Sequence, residues 1–120
     1  MLPSADEYEI TPAELQTIFA EENNTSVRLI DCREEDEWAI CRIESPGEQS
    51  TELIPLSRFT AEAPEKLGEE SRPIVIYCHH GMRSMNATLF LRERGIEKVW
   101  SLAGGIDLWS TQINPSVPRY

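Results

Sequence analysis

The chain contains no apolar run approaching the roughly 20 residues that a membrane-spanning helix needs. Its start, Met1-Leu2-Pro3-Ser4-Ala5-Asp6, lacks the basic segment and apolar stretch of a secretory signal, so we expect a cytoplasmic home. Cysteine is scarce. The three present, Cys32, Cys41 and Cys78, are an odd number with no disulfide framework, which fits a reducing compartment. Nor do they carry metal-ligand spacing. A zinc site at Cys78, His79 and His80 would require three consecutive residues to converge on one ion, and we expect no metal and no cofactor. Basic residues number 11 against 21 acidic ones, and the net charge of −10 argues against nucleic acid and anionic membranes as partners. No serine occupies a nucleophile elbow, which argues against a Ser-His-Asp hydrolase. There is no internal repeat, low-complexity tract or interdomain linker.

What is present suffices for one domain. With 120 residues and 40% hydrophobic content the chain can bury a single core without disulfides or metals. We expect one domain over 1–120, with its core in about 10–110 and 111–120 as a surface tail. The charge is uneven: residues 1–70 carry 18 acidic and 5 basic side chains, whereas 71–120 carry 3 acidic and 6 basic. The second half is therefore locally positive and suited to an anionic substrate.

In that half the chain reads Pro73-Ile74-Val75-Ile76-Tyr77-Cys78-His79-His80-Gly81-Met82-Arg83-Ser84. Ile74 to Tyr77 is β-branched and aromatic, too short for a helix, and reads as a strand buried on both faces. From Arg83 to Arg94 the period changes to a helix, with Met82, Met85 and Leu89 as its expected apolar stripe and Gly95 as its stop. Cys78 thus ends a strand just before a helix start, where unpaired N–H groups and the helix dipole favour an anion. A thiol there loses its proton easily. Gly81 allows the positive φ that turns successive N–H groups inward as a nest.

Elsewhere, Thr11-Pro12-Ala13-Glu14 is a helix start with a capping box, and Leu15, Ile18 and Phe19 form its buried stripe. Asn23 to Ser26 reads as a turn, Val27 to Cys32 as a buried strand, and Glu34 to Ala39 as a short helix whose acidic run is solvated. Cys41 to Ile43 is expected as a brief strand, Ala63 to Leu67 as weakly helical, Lys98 to Leu102 as the last strand and Ile106 to Thr111 as a short helix. Alternating strands and helices predict an α/β fold with a mostly parallel central sheet and helices on both faces. Ligands of such sheets bind at the carboxyl ends of the strands, where Cys78 lies.

The Cys78 loop resembles that of the rhodanese-like sulfurtransferases, and three further segments agree in order. These are Leu29-Ile30-Asp31-Cys32-Arg33, Ile54-Pro55-Leu56, and Leu102-Ala103-Gly104-Gly105-Ile106-Asp107-Leu108-Trp109. The resemblance implies a single rhodanese-like domain and Cys78 as nucleophile, within an active-site loop of His79, His80, Gly81, Met82 and Arg83. It also implies that Asp31 and Arg33 brace the loop. The function implied is transfer of a sulfane sulfur from a small anionic donor such as thiosulfate, through a Cys78 persulfide. The acceptor would be cyanide, a thiol, thioredoxin or a sulfur-accepting protein. Ser45 to Ser50, longer than the family's connection there, is expected at the rim. Cys32 and Cys41 are expected to be dispensable for transfer. Two alternatives stand beside this reading: a non-catalytic binding or persulfide-relay module, and a cysteine phosphatase. A phosphatase would place five residues between cysteine and arginine, and here that arginine position is Ser84.

Overall fold

The computed structural model describes residues 2–4, 6–20, 27–44, 51–68 and 72–120. The turn expected at Asn23 to Ser26 and the loop at Ser45 to Ser50 lie outside the described residues. In chain order the elements are β1 (Glu9–Ile10), α1 (Pro12–Ala20), β2 (Arg28–Asp31), α2 (Glu35–Ile40), β3 (Glu52–Leu53), α3 (Leu56–Leu67), β4 (Ile74–Tyr77), α4 (Met82–Glu93), β5 (Val99–Leu102) and α5 (Gly105–Gln112). The strands form one sheet in the order β1-β5-β4-β2-β3, and every neighbouring pair is parallel.

β4 occupies the middle, and all four of its residues are buried. Its alternating side chains feed two cores, as a strand covered on both faces must. Val75 and Tyr77 pack with Leu29, Trp100, Leu15 and Ile18 of α1, and Ile106 and Trp109 of α5. Ile74 and Ile76 pack on the other side with Ile30, Phe59 and Ala63 of α3, and Ala87 and Leu91 of α4. Fully burying such a side chain contributes about 1.5–3 kcal/mol, so the sheet is fixed chiefly from these two layers. The expected α/β class, parallel sheet and two-sided helices are what the chain adopts.

Several local features follow from sequence chemistry. Thr11 N–H donates to Glu14 Oε1 at 2.8 Å and Glu14 N–H donates to Thr11 Oγ1 at 3.1 Å, the capping box that sets where α1 begins. Gly95, at φ +86°, follows the end of α4. Other expectations fail. The buried face of α4 is Ser84, Ala87, Thr88 and Leu91, while Met82 is 78% exposed and Leu89 is also exposed. The helix lies against the sheet through small residues, so its apolar spacing misidentifies the face. Cys41 to Ile43 is not a strand, because its backbone groups bond to side chains instead of a neighbouring strand: Cys41 O accepts from Arg33 Nη2, and Ile43 N–H donates to Tyr77 Oη at 3.0 Å. α3 is longer than expected and begins directly after Pro55.

Residues 113–120 are mostly exposed but anchored. Val117 is buried, its carbonyl accepts from Ser110 Oγ at 2.5 Å, and Pro118 O accepts from the Cys41 thiol at 3.3 Å.

Candidate active site

The parallel sheet brings the ends of β2 and β4 side by side: Asp31 pairs with Tyr77, and Cys32 N–H donates to Tyr77 O at 3.0 Å. Cys78 follows Tyr77, and the chain then turns through Gly81, at φ +108°, into α4. That turn aims the Gly81 N–H at Cys78 Sγ, 3.0 Å away, and the Ser84 N–H at the same atom, 3.3 Å away. The Ser84 hydroxyl lies 3.4 Å from Sγ and 2.7 Å from Ser101 Oγ, which holds it in place. Cys32, at the end of the neighbouring strand, lies in the same buried cluster as Cys78, and the hydrogen bond its thiol can give Sγ favours the thiolate.

These contacts lower the Cys78 pKa from 9.0 to about 5. The Cys32 hydrogen bond is the largest cause, opposed by burial and reinforced by the hydroxyl and N–H of Ser84 and the N–H of Gly81. Cys78 is therefore a thiolate at neutral pH, the reactive form. The same bond pushes the Cys32 thiol well up, since losing its proton would place two anions in contact.

α5 holds the loop from behind. Ile106 N–H donates to Cys78 O at 2.8 Å, and Asp107 N–H donates to His79 O at 3.1 Å. Gly105, at φ +60°, packs so closely that a Cβ there would fall on both carbonyl oxygens. This is the physical reason for glycine in the Gly104-Gly105 pair.

A shallow depression of about 310 Å³, lined by Cys78, His79, His80, Met82 and Arg83, opens over the sulfur. The structure thus brings together the expected loop residues. Arg83 turns to Glu37 of α2 in a two-pronged ion pair of 2.7 and 2.9 Å. That bond holds the Glu37 carboxyl down at about 2. Glu37 is thus no merely solvated member of an acidic run, and much of the cationic charge beside Cys78 is matched. His79 stacks on the Tyr120 ring (centroids 4.0 Å, 10°) and against His80 (3.9 Å). Burial and the neighbouring His80 push its pKa down, favouring the neutral ring. His80 is exposed, with Nδ1 3.8 Å from Asp107 Oδ2.

Asp31 and Arg33 lie beneath the loop as a fully buried pair, Nη2 to Oδ2 at 2.8 Å and Nε to Oδ1 at 3.0 Å. Arg33 Nη1 donates to Tyr120 Oη at 2.8 Å, and Tyr120 Oη donates to Glu37 Oε2 at 2.9 Å. A continuous polar path therefore runs from Asp31 through Arg33, Tyr120 and Glu37 to Arg83. Sequence reasoning missed Ser84, Ser101, Glu37, Tyr120 and the contact of Cys32. Only for Cys32 was a signal available, because two strand ends carry cysteine at positions that a parallel sheet sets side by side.

A strand-end thiolate, held by N–H groups at the start of a helix on a parallel α/β sheet, is suited to act as a cysteine nucleophile. The chain belongs to the Rhodanese-like domain family, whose model matches residues 11–112. It is 32% identical over 84 residues to the thiosulfate sulfurtransferase GlpE of Shewanella oneidensis, covering 70% of this chain and 76% of that protein. It is 35% identical over 96 residues to the Rhodanese-like/PpiC domain-containing protein 12, chloroplastic, of Arabidopsis thaliana, covering 78% of this chain but 30% of that one. The chain thus spans about a third of the length of that longer relative. A rhodanese-related protein from Thermoplasma volcanium superposes with a TM-score of 0.72 at 26% identity, over 94% of this chain and 99% of the other.

Proposed function

We propose that this protein is a sulfurtransferase that takes a sulfane sulfur from a donor such as thiosulfate onto Cys78 and passes it to a thiophilic acceptor. The observation that carries the reading is the buried Cys78 sulfur, held as a thiolate by the Gly81 and Ser84 N–H groups beneath an open mouth. The thiolate attacks the outer sulfur of thiosulfate, the S–S bond breaks, and sulfite leaves with the electron pair. Cys78 is left as a persulfide anion. An acceptor thiolate or cyanide then attacks the outer sulfur, and Cys78 departs as the same stabilised thiolate. Splitting one displacement into two in this way needs a group that is both a ready nucleophile and a good leaving group. In this mechanism the loop of His79, His80, Gly81, Met82 and Arg83 receives the donor, and Asp31 and Arg33 support it from below. A reducing, cytoplasmic setting suits three free cysteines.

The Arg83–Glu37 pair favours a second reading, a persulfide relay that receives its sulfur from another protein. A matched cation attracts a free dianion weakly, and the exposed Met82 beside the mouth offers apolar contact to a macromolecule. Incubating reduced protein with thiosulfate and no acceptor separates the possibilities. The expected result is a gain of one sulfur atom on the peptide holding Cys78, removed by cyanide and lost in Cys78→Ser. Sulfur gained from a protein persulfide but not from thiosulfate would select the relay. Cys78-dependent release of phosphate from an aryl phosphate, with no sulfur adduct from any donor, would overturn both.

A further inference from the structure

We propose, resting on that reading, that Cys32 is a resolving thiol: it attacks Sγ of the Cys78 persulfide, expels the outer sulfur as hydrosulfide and leaves a Cys32–Cys78 disulfide. The placement of the two side chains carries this. Cys32 and Cys78 each directly follow a register pair of adjacent parallel strands, Asp31 and Tyr77. They lie on the same face of the sheet, in one cluster with Ile54, Phe59 and Ala87. Both are buried. Neighbouring strands are about 4.8 Å apart, and the strand spacing therefore lies within the Cα span of a disulfide, about 4.4–6.8 Å.

The attack also has a direction. Cys32 reaches Sγ from the neighbouring strand, whereas the outer sulfur of a persulfide extends into the mouth between His79, His80, Met82 and Arg83. Nucleophile and leaving sulfur thus flank Sγ. The step balances within the protein: the Cys32 thiol and the Cys78 persulfide anion become a disulfide and HS⁻. A bond forms between the two cysteine sulfurs, and the bond from Sγ to the outer sulfur breaks. The outer sulfur gains one electron and the Cys32 sulfur loses one, while Sγ exchanges one S–S bond for another, and the Cys32 proton leaves on the hydrosulfide. No external oxidant is needed. Because Cys32 is a buried thiol that keeps its proton, the step is slow beside transfer to an acceptor thiolate and discharges the persulfide only when no acceptor arrives. A dithiol reductant reopens the pair.

Two arms test this on the full chain, followed by intact mass and peptide mapping. Diamide, which removes two electrons and two protons from a thiol pair, should link the peptides of Cys32 and Cys78 in folded protein, reversibly with a dithiol. Failure to form that link overturns the pairing whatever the fate of the sulfurtransferase reading. In the second arm the protein is loaded with thiosulfate, or separately with inorganic polysulfide, and freed of excess loader. The expected course is gain of one sulfur, then its release as hydrosulfide with formation of the same link. In Cys32→Ser, and in Cys32→Ala as a second variant, the persulfide should persist without hydrosulfide. Cys41→Ser should still form the link. Loading by polysulfide but not by thiosulfate would tell against the donor and leave the resolving step to be read from the polysulfide sample. A persulfide equally long-lived with and without Cys32 overturns that step. So does a Cys78 that takes up sulfur from neither loader.

Discussion

Replacing Cys32 with alanine removes the largest single stabiliser of the Cys78 thiolate, which makes it a sharp probe of how the site works. Four contacts hold the charge: the Cys32 thiol, the Ser84 hydroxyl, and the N–H groups of Gly81 and Ser84. A hydrogen bond to a charged group contributes about 1.5–3 kcal/mol. Its loss raises the Cys78 pKa from about 5 to about 6–7, since one pH unit corresponds to about 1.4 kcal/mol. The thiolate is the reactive form, so the rate of alkylation rises with pH through this midpoint. At pH 6 the variant should react about twofold to tenfold more slowly than the parent, whereas at pH 8 both are fully ionised and the deficit vanishes. Cys32→Ser, which keeps a donor, should recover part of the depression. The assay is iodoacetamide modification against pH, with Cys78→Ser as the blank. An unchanged midpoint in folded Cys32→Ala, or a parent midpoint near that of a free thiol, would refute the account of thiolate stabilisation.

Removing the carboxylate in Glu37→Gln should release Arg83 toward the mouth and lower the KM for thiosulfate by up to about fivefold, the size of a partly exposed ion pair. Arg83→Ala should raise that KM by about tenfold or more if the guanidinium contacts the donor, and an unchanged KM would show that it does not. Gly105→Ala forces a Cβ onto the carbonyl oxygens of Cys78 and His79 at a positive φ. At about 1–3 kcal/mol it should lower the thermal midpoint by at least about 4 °C, measured by circular dichroism. Arg33→Met leaves Asp31 buried and unpaired, and should cost about 3–5 kcal/mol in urea unfolding, with part recovered by adding Asp31→Asn.

How much of this was legible in the sequence depended on the reach of the interaction. Local rules worked: the Thr11–Glu14 box fixed the start of α1, and the β-branched run Ile74 to Tyr77 lay at the centre of the sheet. β1 was missed because two residues, Glu9 and Ile10, are too few to show a period. The face of α4 was misjudged because periodicity weighs large apolar side chains, whereas close approach to β5 selects Ser84, Ala87 and Thr88. At the site, Cys78, Gly81 and the strand-to-helix turn could be read from adjacent residues. Contacts across 46 residues, from Glu37 to Arg83, or 87, from Arg33 to Tyr120, have no local signature. They also change the chemistry inferred, because a lone loop arginine reads as an anion hook while the paired one is a matched charge.

The same geometry bears on why the loop suits a transferred sulfur better than a phosphoryl group. A phosphoryl-transfer loop must present its N–H groups to three equatorial oxygens and aim a guanidinium fork at them. Here the N–H groups of Gly81 and Ser84 converge on Sγ itself, at 3.0 and 3.3 Å, and the Ser84 hydroxyl joins them at 3.4 Å. Ser84 stands at the position a phosphatase would give to arginine, and its hydroxyl is fixed by Ser101 and faces the sulfur. The arginine one residue earlier points out of the loop to Glu37. Donors committed to the sulfur atom stabilise a thiolate before attack and again as a leaving group. A displacement at sulfur needs both, and the charge it develops stays on the atoms in line with Sγ instead of spreading over a tetrahedral oxyanion.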